Sequence, residues 1–146
     1  MPMHISWYDA DQTILLCQGE GMWTWDDFHA GNGHVVELVR SVDHRVDLIY
    51  YRPPGTKPPS GSNLKHYRVS LQAMPDNVQL HVLVGGVNVL LQTTLNFFFT
   101  IYGRFMERDM ANRFILTDSL EKAQALILEH RAAQGEVTVK TTAAQD

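Results

Sequence analysis

The stretch Arg45–Tyr51, "RVDLIYY", decides the fold class. Its residues from Val46 on are aliphatic or aromatic, and Asp47 alone interrupts the run. A strand with one wet face alternates apolar and polar residues, whereas a strand covered on both faces reads as an almost continuous apolar run. The segment therefore predicts a strand at the centre of a sheet, with further elements packed above and below it.

Towards the N-terminus, "HISWY" (His4–Tyr8) and "TILLCQ" (Thr13–Gln18) are β-prone runs separated by "DADQ". Asp9 and Asp11 supply the turn chemistry of a hairpin. Thr24 and Asp27 stand three apart, the spacing of a capping box, and a first helix is expected from there to about Val42. Its apolar positions Phe28, Val35, Leu38, Val39 and Val42 keep helical spacing. Gly31 and Gly33 each cost about 1 kcal/mol relative to alanine, which makes the middle of this helix its weak point.

Towards the C-terminus, "RPPGTKPPSGSN" (Arg52–Asn63) stops regular structure with four prolines and two glycines. Ser62 or Asn63 can cap a second helix through about Ala73, followed by the strand "VQLHVLV" (Val78–Val84). Gly85 and Gly86 then turn the chain into a Phe-rich helix expected from Val87 to Gly103. "RFILT" gives another strand, and Asp118 with Glu121 repeats the capping spacing before a last helix through about Ala133. Leu120, Ala123, Ile127 and Leu128 form its expected inner stripe. Residues 1–134 read as a single domain and 135–146 as a mobile tail, although "EVTVK" within that tail has the composition of an edge strand. The element order is ββαβαβαβα: an α/β fold with a mixed sheet of about five strands and four helices, most strands parallel.

Composition narrows the function. The chain has 146 residues, 45% hydrophobic and 19% charged, the profile of one globular domain. A net charge of -4 argues against nucleic acid as a partner, because nothing offers the broad positive field that phosphate backbones require. The one cysteine, Cys17, rules out an internal disulfide, and no secretory signal is visible in "MPMHISWYDADQ", so a cytoplasmic location is expected. From Asn77 to Gly103 there is no Asp, Glu, Lys or Arg, yet Gly85, Gly86, Asn88, Gln92 and Asn96 break the apolar length that a transmembrane helix needs.

The segments "ILLCQGEGMWTWDDF", "PDNVQLHVLVGG" and "RFILTDSLEKAQALIL", in this order, resemble the SpoIIAA-like branch of the STAS superfamily over about Ile5 to Ala133. The resemblance implies a non-enzymatic module that binds proteins, nucleotides or lipophilic molecules. It also implies a phosphoacceptor serine at the start of the second helix, where Ser62, and next Ser60, occupy the matching region "PPSGSNL". A phosphate there would meet free backbone N–H groups and the helix dipole. The chain departs from the family in having Pro59 or Gly61 where an acidic residue usually precedes the acceptor.

The Phe-rich helix is the other candidate surface. Leu95, Phe98 and Tyr102 fall along one stripe, while Phe97 and Phe99 lie on opposite flanks. One reading buries all of them as core; the other uses Phe97, Phe98, Phe99 and Tyr102 with Trp23 and Trp25 as a ligand-binding or partner-binding surface. Trp7, Tyr50 and Tyr51 are further aromatics that could line the same cavity. The surplus apolar surface also suggests a homodimer.

Signatures of chemistry are sparse. His29 and His34 stand five apart, off the pairing that joins metal ligands on a helix; Asp26 and His29 have suitable spacing but no third ligand in the sequence, so no metal is expected. "LVGGVN" lacks the spacing of a dinucleotide loop or P-loop. Cys17 sits among apolar neighbours, where a thiol is inert. No cofactor is indicated. The expected function is binding of a protein partner or a small lipophilic ligand; the alternatives are a phosphorylation switch and an enzyme whose residues meet only in the fold.

Overall fold

The computed structural model describes residues 3–53, 63–85 and 114–133. Within them β1 (Met3–Trp7), β2 (Ile14–Gly19), β3 (Val46–Tyr51), β4 (Val78–Val84) and β5 (Phe114–Thr117) form one sheet in the order β1-β2-β3-β4-β5. α1 (Trp25–Arg40), α2 (Asn63–Ala73) and α3 (Leu120–Arg131) accompany it. β1 runs antiparallel to β2 and every other neighbouring pair is parallel, so the sheet is mixed and β3 is its central strand. The expected Phe-rich helix, the Pro-rich loop from residue 54 on and the C-terminal tail lie outside the described residues.

Local chemistry accounts for the elements. Asp9 accepts hydrogen bonds from the backbone N–H groups of Thr13 (2.8 Å) and Ile14 (2.9 Å) and from the Thr13 hydroxyl, which closes the hairpin between β1 and β2. Burial of its carboxyl works against ionisation, but these hydrogen bonds outweigh it and hold Asp9 below the ordinary carboxylate range. Thr24 and Asp27 form the expected capping box at α1. α1 ends at Arg40, slightly short of Val42, with Ser41 as its C-cap. At α3 the cap is Ser119 rather than Asp118, since the Ser119 hydroxyl accepts from Lys122 N; Asp118 instead pairs with the Lys122 ammonium.

Two hydrophobic clusters cover the two faces of the sheet. Val35 and Val39 of α1 meet Leu15, Cys17, Val46 and Leu48, together with Met74 just after α2. Ala123 and Ile127 of α3 meet Ile14, Ile49, Leu80, Val82 and Val84. Leu15 and Ile14 are neighbours on β2 and fall into different clusters, as the two-residue period of a strand requires. α1 and α2 lie together, as successive right-handed crossovers in a one-way strand order demand. Leu128, expected on the inner stripe of α3, is 52% exposed, so the buried stripe is narrower than its sequence suggests.

Gly31 also has a different meaning from the one its propensity conveys. It is buried where α1 crosses β1, and a Cβ there would stand 3.3 Å from Met3 Cβ. The lost helix propensity is the cost of close approach between helix and strand. Nothing lies within 4 Å of a Cβ placed at Gly33.

Asp47, the interruption in "RVDLIYY", is fully buried at the amino end of the parallel strands. Its register explains it. Between the pairs Val46↔Val78 and Leu48↔His81, β3 advances two residues and β4 three, so β4 carries an irregularity. The N–H of Leu80 in that interval donates to Asp47 Oδ1 at 2.9 Å. Arg45 Nε approaches the carboxylate at 3.1 and 3.2 Å, and Arg131 of α3 binds Oδ2 through Nε (2.9 Å) and Nη2 (2.8 Å). Arg131 Nη2 also donates to Thr13 O, and Arg45 Nη2 to His130 Nδ1. A buried charge is tolerable when every lone pair is answered in this way, and the network ties α3 to the sheet.

Candidate functional site

At the opposite, carboxyl end of the strands, β2 runs out at Gly19, β3 at Tyr51 and β4 at Val84. Gly85 follows β4 with φ +88, a conformation that favours glycine, and a Cβ there would collide with the carbonyl oxygen of Arg52. Arg52 N donates to Val84 O at 2.9 Å and Gly85 N to Thr117 O at 3.3 Å, which fixes the strand ends relative to one another.

These ends form the floor of a small cleft, of about 70 Å³, that opens to solvent. Cys17, Tyr50 and Leu83 come from the strands; Trp23 and Phe28 come from the turn into α1 and its first turns; Met3 closes the β1 side, and Arg52 and Gly85 lie where β3 and β4 end. The walls are mainly apolar, and Arg52 brings the one fixed charge among the described lining residues. The Cys17 thiol is fully enclosed, and burial pushes its pKa up to about 12, so it contributes shape and not a thiolate.

The α1 side of the cleft is an aromatic assembly. Trp23 stacks on Phe28 with ring centroids 6.1 Å apart, and Trp25 meets both rings edge-on at 5.7 and 5.5 Å. Trp25 also lies flat against His66 of α2, at 4.0 Å and 9°. His29 Nε2 and His66 Nδ1 are 2.7 Å apart, so one ring donates and the other accepts. Desolvation against its neighbours, then the adjacent His29 and Lys65, hold His66 below the ordinary imidazole range, with Asp26 acting in the opposite sense. Asn32 and Ser70 add a second α1–α2 hydrogen bond at 2.7 Å.

Within this assembly Trp23 is only 8% exposed, and its Nε1 is a buried donor with no hydrogen-bond partner. It is the sole such side-chain atom among the described residues. The rule that buried polar groups are paired makes it a feature to explain.

Of the residues singled out in the sequence, the structure brings Trp23, Tyr50 and Tyr51 to one cleft and sets Trp25 beside Trp23. Trp7 pairs with Leu15 near the start of β2, at the other end of the sheet. Phe97, Phe98, Phe99, Tyr102, Ser60 and Ser62 lie outside the described residues. Cys17, Phe28, Arg52 and Leu83 were not read as lining residues; the available signal was their place at or near strand ends, where open α/β sheets bind ligands. The His29–His66 pair could not be found from spacing, since its partners are 37 residues apart. Among the described residues no group of three His, Cys, Asp or Glu side chains is placed to hold a metal, and no helix is long and apolar enough to cross a membrane. No family model, no curated protein and no solved structure matches the chain.

Proposed function

We propose that this chain is a non-enzymatic binding module of SpoIIAA-like, STAS type that takes a small lipophilic ligand in the cleft at the carboxyl end of its parallel strands. One observation carries the reading: a cleft whose walls are aromatic and aliphatic side chains on fixed strand ends. The position, at the carboxyl ends of the parallel strands, is the one α/β sheets use for ligands. An enzyme would be supported by convergent ionisable groups with perturbed protonation; the described lining instead offers a guanidinium, two phenols and a thiol that burial keeps protonated. The resemblance noted in the sequence points the same way, because lipophilic molecules are among the ligands it implies. A cytoplasmic, dimeric regulator is the setting that the acidic charge balance, single cysteine and surplus apolar surface suggest.

Native mass spectrometry of gently purified protein, set against the denatured mass, tests the proposal. An excess mass that is lost on denaturation, carried by a molecule that partitions into organic solvent, is the expected result. A bare protein mass that also stays bare after incubation with a lipid extract of the host would contradict it.

A further inference from the structure

We infer that the His29–His66 pair is an acid-sensitive latch, which holds the first turns of α2 against α1 while at most one of the two rings has an extra proton and releases them when both do. His29 Nε2 and His66 Nδ1 stand 2.7 Å apart, so one nitrogen must bear the hydrogen and the other a lone pair. Two neutral rings meet that requirement. One extra proton is also accommodated, because it can sit on an outer nitrogen, and the bond between the rings then becomes charge-assisted. With both rings protonated, each facing nitrogen bears a hydrogen, no lone pair remains between them, and two like charges face each other. The bond then fails.

The charges around His66 favour that failure. Lys65 on α2 and His29 on α1 both oppose its protonation, and the exposed carboxylate of Asp26 on α1 favours it. Desolvation is the largest influence, and the net result holds His66 below its ordinary value of 6.5, so the latch stays closed at neutral pH. What opens is set by where the pair sits. His66 lies flat on Trp25 and bonds to His29 near the start of α2, whereas further along Ser70 donates to Asn32 and Met74 enters the core. Loss of the histidine bond leaves those later contacts in place, so the opening is confined to the first turns of α2. It uncovers the face of Trp25 that His66 covers, beside Trp23 and Phe28 of the cleft wall, whatever the cleft binds.

Amide hydrogen exchange of the full chain, followed by NMR at about pH 7.5 and about pH 5 and corrected for the intrinsic pH dependence of exchange, tests the latch. The Arg68 and Val69 amides should lose protection by roughly tenfold at the lower pH, while Leu48 and Ile49 in β3 keep theirs. His29→Gln should abolish that loss, since its side-chain amide donates to a neutral His66 and, turned over, accepts from a protonated one. The ring nitrogens of the unaltered chain give a second reading that needs no variant: the pair should titrate in two linked steps, with protection lost at the second. Arg68 and Val69 amides that stay protected at both pH values, or are unprotected at both, overturn the latch. So does a loss shared by β3, because acid is then unfolding the whole domain. Protection lost at the first ring titration, or lost in His29→Gln as in the unaltered chain, overturns the histidine pair as the cause.

Discussion

The two ends of the parallel sheet are built on opposite principles. At the amino end a charged group is buried and every one of its demands is met: Asp47 takes hydrogen bonds from two guanidinium groups and from the backbone N–H freed by the irregularity in β4. At the carboxyl end the described lining is mainly apolar, Arg52 is the one fixed charge among those residues, and a buried indole N–H has no partner. Completeness at the first end is what stability requires. At the second end the unmet donor is itself enclosed, and what faces solvent is a cleft walled by apolar side chains.

Substitutions can break this contrast, and the largest effect belongs to the amino end. Asp47→Ala leaves Arg45 and Arg131 facing a buried void, and their side chains are only 16% and 19% exposed. It should lower the unfolding free energy by about 3–5 kcal/mol, read as a shifted urea midpoint. A loss under about 1 kcal/mol would show that the network is not closed to water. Next comes Gly85→Ala, which forces a left-handed backbone on alanine and drives its Cβ into the Arg52 carbonyl. A loss of about 1–3 kcal/mol, with weakened binding in the cleft, is expected from that strain. Gly33→Ala sharpens the contrast between the two helix glycines: with open space around it, it should stabilise by about 0.5–1 kcal/mol, whereas Gly31→Ala must press on Met3 and gains less. Thermal melts of the two variants side by side decide it.

The smallest effect is a pH dependence. His66 is held below its ordinary value of 6.5 in the folded chain, first by desolvation and then by His29 and Lys65. As pH falls below 6.5, the unfolded chain takes up a proton that the folded chain still declines, so stability falls with pH until the folded value is passed and then levels off. Urea midpoints at a series of pH values, repeated for His66→Gln, should show a shallow slope in this window that the substitution flattens. An unchanged slope would remove His66 as its source.

Much of the frame was legible from local pattern. The continuous run of β3, the capping box of Thr24 and Asp27 and the turn chemistry of Asp9 act within a few residues of themselves, and the structure contains each. What escaped depends on which distant residues meet. Asp47 read as an interruption because its partners include Arg131, 84 residues away. Gly31 read as a weakness because the strand it admits was not in view. Trp23 and Trp25 were singled out as aromatics, but only the fold shows that one lines a cleft with an unpaired N–H while the other stacks on His66. A cap placed one residue early, at Asp118, reflects two adjacent side chains that can each cap and a helix that uses the second.

The most direct test of the difference between the two ends is a nitrogen–proton correlation spectrum of labelled protein during titration with decanoate. The backbone N–H resonances of Leu83 and Gly85, which line the cleft, should move, while the guanidinium Nε–H resonances of Arg45 and Arg131 stay where they are. Movement of the two arginine resonances with stationary Leu83 and Gly85 signals would contradict the account, because the open, ligand-taking end would then be the one described as closed.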